Sequence, residues 1–286
     1  MNQRWDYQSP TPEQTEESRQ LADELGLHPT LARFLIERGI HKAEEAHAFF
    51  HPQLTQLHDP FLMKDMDRAV DRLNQALGRK ERIMVFGDYD VDGTTAVALV
   101  YNFLRQYSSN LEYYIPDRDK EGYGVSLQAV DLAAAHGVRL IIILDCGIKA
   151  VEEIAYARTL GIDFIICDHH VPDAELPPAL AILNAKRADN TYPYTDLSGC
   201  GVGFKLMQAF ARSNGIRFHK LIPLLDLVAL SIASDIVPIM GENRILAYHG
   251  LRQLNHNPTT GLKAIIDVCS LTGRELTMND IIFRIG

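Results

Sequence analysis

Long apolar runs are missing from this chain. No stretch approaches the roughly 20 residues that a bilayer-spanning helix needs, which excludes a membrane span of that kind. The start, MNQRWDYQSPTPEQTEES, also lacks the basic-then-apolar layout of a secretory signal, so the expectation is a cytoplasmic protein with no membrane partner. Cysteine is scarce: Cys146, Cys167, Cys200 and Cys269 form no CxxC pair. That spacing excludes a structural zinc site and leaves reduced, buried small residues. A basic excess is missing too, with 28 lysines and arginines against 37 acids and a net charge of −9. A nucleic-acid binder ordinarily offers a basic surface. Here several acids fall in one cluster that a metal would neutralise, so charge leaves the partner open. There is no internal repeat, no low-complexity segment and no glycine-rich phosphate cradle of the nucleotide-binding kind.

What is present is a globular composition, 47% hydrophobic and 23% charged over 286 residues, enough for one large domain or two. Residues 1–80 read as a helical segment. Apolar residues recur at three- and four-residue spacing over 13–25, 30–38, 43–50 and 65–77, with Gly26, Gly39 and Gly78 where helices end. From Ile83 onward, short runs of Ile, Val and Leu alternate with helix-like sequence. The predicted strands are 83–86, 111–115, 140–144, 164–167 and 180–183, with helices over 94–107, 126–135, 150–160, 202–212 and 220–233 between and after them. This alternation predicts an α/β fold, a parallel sheet flanked by helices. The α/β domain is expected over 81–240. Residues 241–286 read as a helical connector, and the abrupt end at Phe283 to Gly286 suggests a fragment.

Three of the strands end in acid: GDYDVDG (Gly87 to Gly93), LDCG (Leu144 to Gly147) and CDHH (Cys167 to His170). Parallel strands present their C-terminal ends at one edge, where ligands of open α/β sheets bind. Asp88, Asp90, Asp92, Asp145, Asp168, His169 and His170 are therefore expected in one small volume, with no lysine or arginine placed among them. If the backbone of GDYDVDG stays extended, its three aspartates point the same way; Gly93 then makes a turn, and Thr94 and Thr95 cap the next helix. The competing reading, helix caps and an acidic loop, accounts for one aspartate but not for three beside two further strand-end acids. Two adjacent histidines at that address read as ligands, whereas the other nine read as packed or surface residues. Mixed carboxylate and imidazole donors with oxygen in excess suit Mn²⁺ or Mg²⁺. Five or more acids suit two ions, an arrangement that serves phosphoester or phosphoanhydride hydrolysis.

GDYDVDG followed by CDHH resembles the DHH phosphoesterase superfamily, and more finely its RecJ-like single-strand-specific 5′→3′ exonucleases. LDCGI (Leu144 to Ile148) resembles the family's second motif and SIASDIVPI (Ser231 to Ile239) its fourth. The resemblance implies Asp90, Asp92, Asp145, His169 and Asp235 as metal ligands, with Asp168 and His170 completing the site as ligand, orienter or phosphate contact. It alone promotes Asp235, which otherwise reads as a helix-end acid. Phe86 stands where many relatives carry a histidine, four residues before Asp90, and Asp88 is the acid available to replace that ligand.

Two further segments resemble the family. YIPDRDKEGYG (Tyr114 to Gly124) offers Arg118 and Tyr123 to substrate, against the reading of a solvated loop. SGCGVGFKL (Ser198 to Leu206) offers the N–H groups around Gly201 and Gly203 to a phosphate, against close helix–sheet packing. Asn184 ends the last strand and is a further candidate substrate contact. The implied catalytic group is Asp145, His169 and His170. The implied activity is Mn²⁺- or Mg²⁺-dependent release of 5′-mononucleotides from single-stranded DNA, in repair and recombination, with a single-strand-binding protein or a helicase as partner. Alternatives within the superfamily are an oligoribonuclease, a cyclic-dinucleotide phosphodiesterase or a pyrophosphatase. A non-catalytic DNA-binding relative is a third class. The tyrosine in GDYD and the EGYG segment favour the exonuclease.

Overall fold

The computed structural model describes residues 9–286, which form two compact units dividing between Gln53 and Leu54. The smaller unit holds helices α1 (Pro12–Leu25), α2 (Pro29–Ile36) and α3 (Ala43–Phe50). Thr11 and Gln14 cap α1 reciprocally, each side chain taking the other's backbone N–H. Leu21, Ala22, Ala32, Leu35 and Ala46 are buried. Gly26 and Gly39 end α1 and α2 with φ near +64° and +75°. Gly78 does not play that part: it closes a helix of the larger unit, and the left-handed residue there is Lys80.

The larger unit begins with α4 (Met66–Gly78) and continues through strands β1 (Arg82–Gly87), β2 (Leu111–Tyr114), β3 (Val138–Leu144), β4 (Asp163–Cys167) and β5 (Ala181–Leu183). All pairings are parallel and the spatial order is β2-β1-β3-β4-β5. The helices joining them are α5 (Val91–Leu104), α6 (Leu127–Ala135) and α7 (Val151–Thr159). They are followed by α8 (Gly199–Ser213), α9 (Leu225–Ser234), α10 (Gly241–His256) and α11 (Thr260–Val268).

Strand alternation splits the core into two layers. Ile83, Val85, Leu140, Ile142, Leu144, Ile165 and Leu183 pack against α4, α5, α8 and α9. Met84, Phe86, Ile141, Ile143, Phe164 and Ile166 pack against α6 and α7. Near-continuous apolar strands are what a sheet covered on both faces requires. Between α8 and α10 the interior holds a buried ion pair, Lys205 to Glu242 at 3.0 Å. The Tyr192 hydroxyl, the His58 N–H and the His58 carbonyl complete its hydrogen bonding. The single helix expected over 220–233 is instead two 3₁₀ turns and then α9, interrupted at Pro223, which has no N–H to give.

Candidate metal centre

The backbone after β1 does not stay extended as far as Asp92. Asp90 caps α5 by accepting the Gly93 N–H at 2.9 Å, so the helix begins at Val91 and Asp92 already lies in its first turn. Thr94 and Thr95 are therefore inside the helix, their hydroxyls bonded to carbonyls one turn back, and do not cap it. The three aspartates still converge, but from a strand end, a cap and a helical turn. Gly93 permits this crossing: a Cβ there would lie 2.4 Å from the Asp88 carbonyl oxygen.

The remaining donors arrive from β3, β4 and α9. Asp145 follows β3 with φ near +61°, and Asp235 follows α9. Three sets of potential ligand atoms lie within 4.8 Å of one another: Asp88 with Asp90 and Asp145, Asp145 with His169 and His170, and Asp92 with His169 and Asp235. Asp145 and His169 are shared, so the sets form one chain of donors. His169 Nε2 is 3.2 Å from Asp145 Oδ1, 3.5 Å from Asp235 Oδ2 and 3.8 Å from Asp92 Oδ2.

The donors suit divalent cations by a direct sign. Asp88 Oδ1, Asp145 Oδ1 and both ring nitrogens of His169 are buried without a hydrogen-bond partner, a costly condition for polar atoms. Burial, then the neighbouring Asp92 and Asp90, push the Asp145 carboxyl up to about 12. The same causes raise Asp235 to about 6, and burial raises Asp88. Burial likewise lowers the His169 imidazole. Carboxylates so crowded stay ionised together only beside a positive counter-charge.

Phe86 is buried and stacked on Tyr114, 5.4 Å between ring centroids. It belongs to the apolar layer, and Asp88, two residues on, lies in a donor set with Asp90 and Asp145.

Other candidates take different parts. Asp168 is committed to shaping its own loop, its carboxylate accepting from four donors. Oδ1 accepts the His169 N–H, the His170 N–H and His170 Nδ1, and Oδ2 accepts the Ile148 N–H. Burial alone would raise its pKa, but the bonds from His170 and Ile148 hold it below the ordinary value. Asn184 is fully buried, donating to the His170 carbonyl and accepting the Lys186 N–H. Both ends are spent on the loop, which removes it from substrate. Gly201 and Gly203 do not offer a phosphate cradle. The Gly201 N–H is taken by the Ser198 hydroxyl, and a Cβ on Gly203 would lie 3.0 Å from Leu144 Cδ2, so the pair serves close packing on the sheet.

Tyr123 stays at the rim, its hydroxyl 3.4 Å from His170 Nδ1 and 3.3 Å from the Asp145 carbonyl. With Val125, Ile148, Lys149, Glu153 and His170 it lines a pocket of about 450 Å³ beside the donors. Arg118 is exposed, its guanidinium 5.3 Å from the Tyr89 ring centre. The sequence reading missed Lys186, the cation whose charge acts on both Asp235 and His169. Its place one residue beyond Ala185, just after β5, was the available signal.

A parallel sheet with acids and imidazoles gathered at its C-terminal rim defines a divalent-cation site of the phosphoesterase kind. The DHH family, N-terminal domain, matches residues 82–232, and the chain belongs to that family. It is 41% identical over 92% of its length to the single-stranded-DNA-specific exonuclease RecJ of Bacillus subtilis (strain 168), of which it covers 32%. Identity to the protein of the same name in Escherichia coli (strain K12) is 36% over 91% of the chain and 46% of that relative. The chain thus spans less than half the length of these curated relatives. Among solved structures, exonuclease RecJ bound to manganese superposes with a TM-score of 0.71 at 30% identity, over 82% of this chain and 57% of that one. RecJ in complex with Mn²⁺ from Thermus thermophilus gives 0.77 at 27% identity, over 94% and 38%. No helix among the described residues is long and apolar enough to cross a membrane.

Proposed function

We propose that this chain is the metal-binding catalytic part of a single-stranded-DNA-specific 5′→3′ exonuclease. It would release 5′-mononucleotides during DNA repair and recombination in the cytoplasm. The observation that carries the reading is the shared pair at the middle of the donor chain, Asp145 Oδ1 and His169 Nε2, 3.2 Å apart and both unpartnered. Asp88, Asp90 and Asp145 would hold one Mn²⁺ or Mg²⁺ and Asp92, His169 and Asp235 the other. Bound divalent ions lower the pKa of a coordinated water and neutralise the charge that builds on a phosphate under in-line attack.

The chain's own groups do the rest. Asp168, ionised and accepting from Nδ1, holds the His170 ring so that Nε2 can give a proton to a leaving oxygen. Tyr123 restrains that ring from the rim, with its aromatic face edge-on at 6.0 Å. Lys186 adds the positive charge that an approaching phosphate needs. The single strands come from partners that expose them, a helicase or a single-strand-binding protein. The test is Mn²⁺-dependent shortening of end-labelled single-stranded DNA by the wild-type chain and by Asp145→Asn. The variant is expected to melt normally and to release no nucleotide. Undiminished release by Asp145→Asn defeats the proposal.

A further inference from the structure

Within the donor chain, Asp92 is distinguished by how much of its carboxylate the protein itself occupies. Oδ1 accepts the Cys200 N–H and the Ser231 hydroxyl, each at 2.7 Å. Oδ2 accepts the Gly199 N–H at 2.6 Å. A carboxylate oxygen offers two lone pairs, so Oδ1 is full and Oδ2 keeps one. Oδ2 is also the atom 3.8 Å from His169 Nε2. The first turn of α8 reaches this position because residue 199 is glycine: a Cβ there would lie 2.5 Å from Asp145 Oδ1.

Ser231 and Ser198 are both fully buried, and their Oγ atoms are 2.6 Å apart. A carboxylate only accepts, so the Ser231 proton goes to Asp92. Ser231 Oγ must then accept from Ser198, whose own oxygen accepts the Gly201 N–H at 3.1 Å. The bonds run one way, from Gly201 through Ser198 and Ser231 to Asp92, and a one-way chain polarises each link toward the carboxylate. Ser231 also stands one turn before Asp235, whose N–H donates to the Ser231 carbonyl at 2.9 Å. Helix α9 therefore carries the hydroxyl that aims one candidate ligand and leads directly into another, Asp235.

We infer that Ser231 is a positioning residue for the metal centre: it fixes Asp92 so that this acid meets a single divalent cation, through Oδ2 alone, beside His169 and Asp235. The inference rests on reading the cluster as a metal site. Nothing in it requires Ser231 to touch an ion or a substrate. A buried serine that merely fills space would make the same contacts, so the test must ask whether Ser231 acts through Asp92.

The experiment is a manganese titration of the 286-residue chain, with free Mn²⁺ read by electron paramagnetic resonance and no turnover involved. Ser231→Ala is expected to bind Mn²⁺ roughly 10- to 100-fold more weakly, the usual effect of losing a group that orients a ligand. Ser231→Cys, nearly the same shape with a poorer donor, is expected in between, and it decides the matter should the alanine variant fail to melt cooperatively. In an Asp92→Ala background, Ser231→Ala should weaken binding no further, because the two changes remove one unit. Wild-type affinity in both serine variants overturns the inference. So does an equal loss with and without Asp92, which would mark a general packing effect. A wild-type chain that takes up no Mn²⁺ defeats the metal reading itself, a result distinct from either.

Discussion

His170 donates Nδ1–H to Asp168 Oδ1 at 2.7 Å, and that same oxygen accepts the backbone N–H of both His169 and His170. The acid that heads the motif thus builds the loop that carries the histidines. The Asp168 bond is the first cause of a raised His170 pKa, ahead of the opposing burial. An imidazole held in this way keeps one fixed tautomer and one free nitrogen.

Asp168→Asn should therefore harm the site without removing a ligand. An amide cannot accept from all four donors, and metal affinity or activity is expected to fall roughly 10- to 100-fold. The more specific readout is the His170 titration followed by NMR, which should move to lower pH once its main raising cause is gone. A His170 titration unchanged in the variant would contradict the assignment.

Metal uptake should release protons. Asp145, at about 12, is protonated at pH 7, whereas Asp235, at about 6, is mostly ionised. Ligand carboxylates must be ionised to bind, so about one proton should leave per chain at pH 7 and about two near pH 5. Both acids have folded values raised above their unfolded ones. Their contribution to the stability of the metal-free protein is thus complete below about pH 4 and is lost as pH rises through 6 and beyond. Calorimetry in buffers of different ionisation heat measures the release. Mn²⁺ affinity that stays level from pH 8 down to pH 5 would count against it.

Lys186 should act on the substrate more than on the metal. Replacing it with alanine removes one cation near His169 and Asp235. DNA binding is expected to weaken evenly across sequences, with the salt dependence of log K reduced by about one. Titrations at several salt concentrations measure both, and an unaltered slope would exclude a phosphate contact.

The Lys205–Glu242 pair predicts a stability effect remote from the chemistry. Burial lowers the Lys205 pKa while Glu242 pulls it back up. Glu242→Gln strands a buried charge and should cost about 3–5 kcal/mol. Lys205→Met combined with Glu242→Leu should cost less than the two single changes added together, because the pair leaves as a unit. Denaturant melts decide, and strict additivity would mean the two side chains do not act together.

The sheet was legible because its strands carry apolar residues on both faces, and five of them lie where the sequence placed them. The convergence of Asp88, Asp90, Asp92, Asp145 and His169 followed from strand ends alone. What sequence could not show is where each lone pair is spent. Asp168 and Asn184 look like free polar groups until the loop groups bonded to them are seen. Asp92 meets Gly199 and Ser231, more than a hundred residues away, and no periodicity reports such a pairing. GDYDVDG departs from an extended run for a local reason, since one cap at Asp90 starts a helix at Val91.

Asp145 occupies left-handed backbone at φ +61°, a conformation that asparagine tolerates better than most side chains. An amide at that position would remove the group that ionises on metal binding while leaving the turn as it is, whereas alanine would change both at once. The inert twin made in that way should retain an uncut strand in place, which makes it the reagent for capturing the substrate complex by crystallography or cryo-electron microscopy.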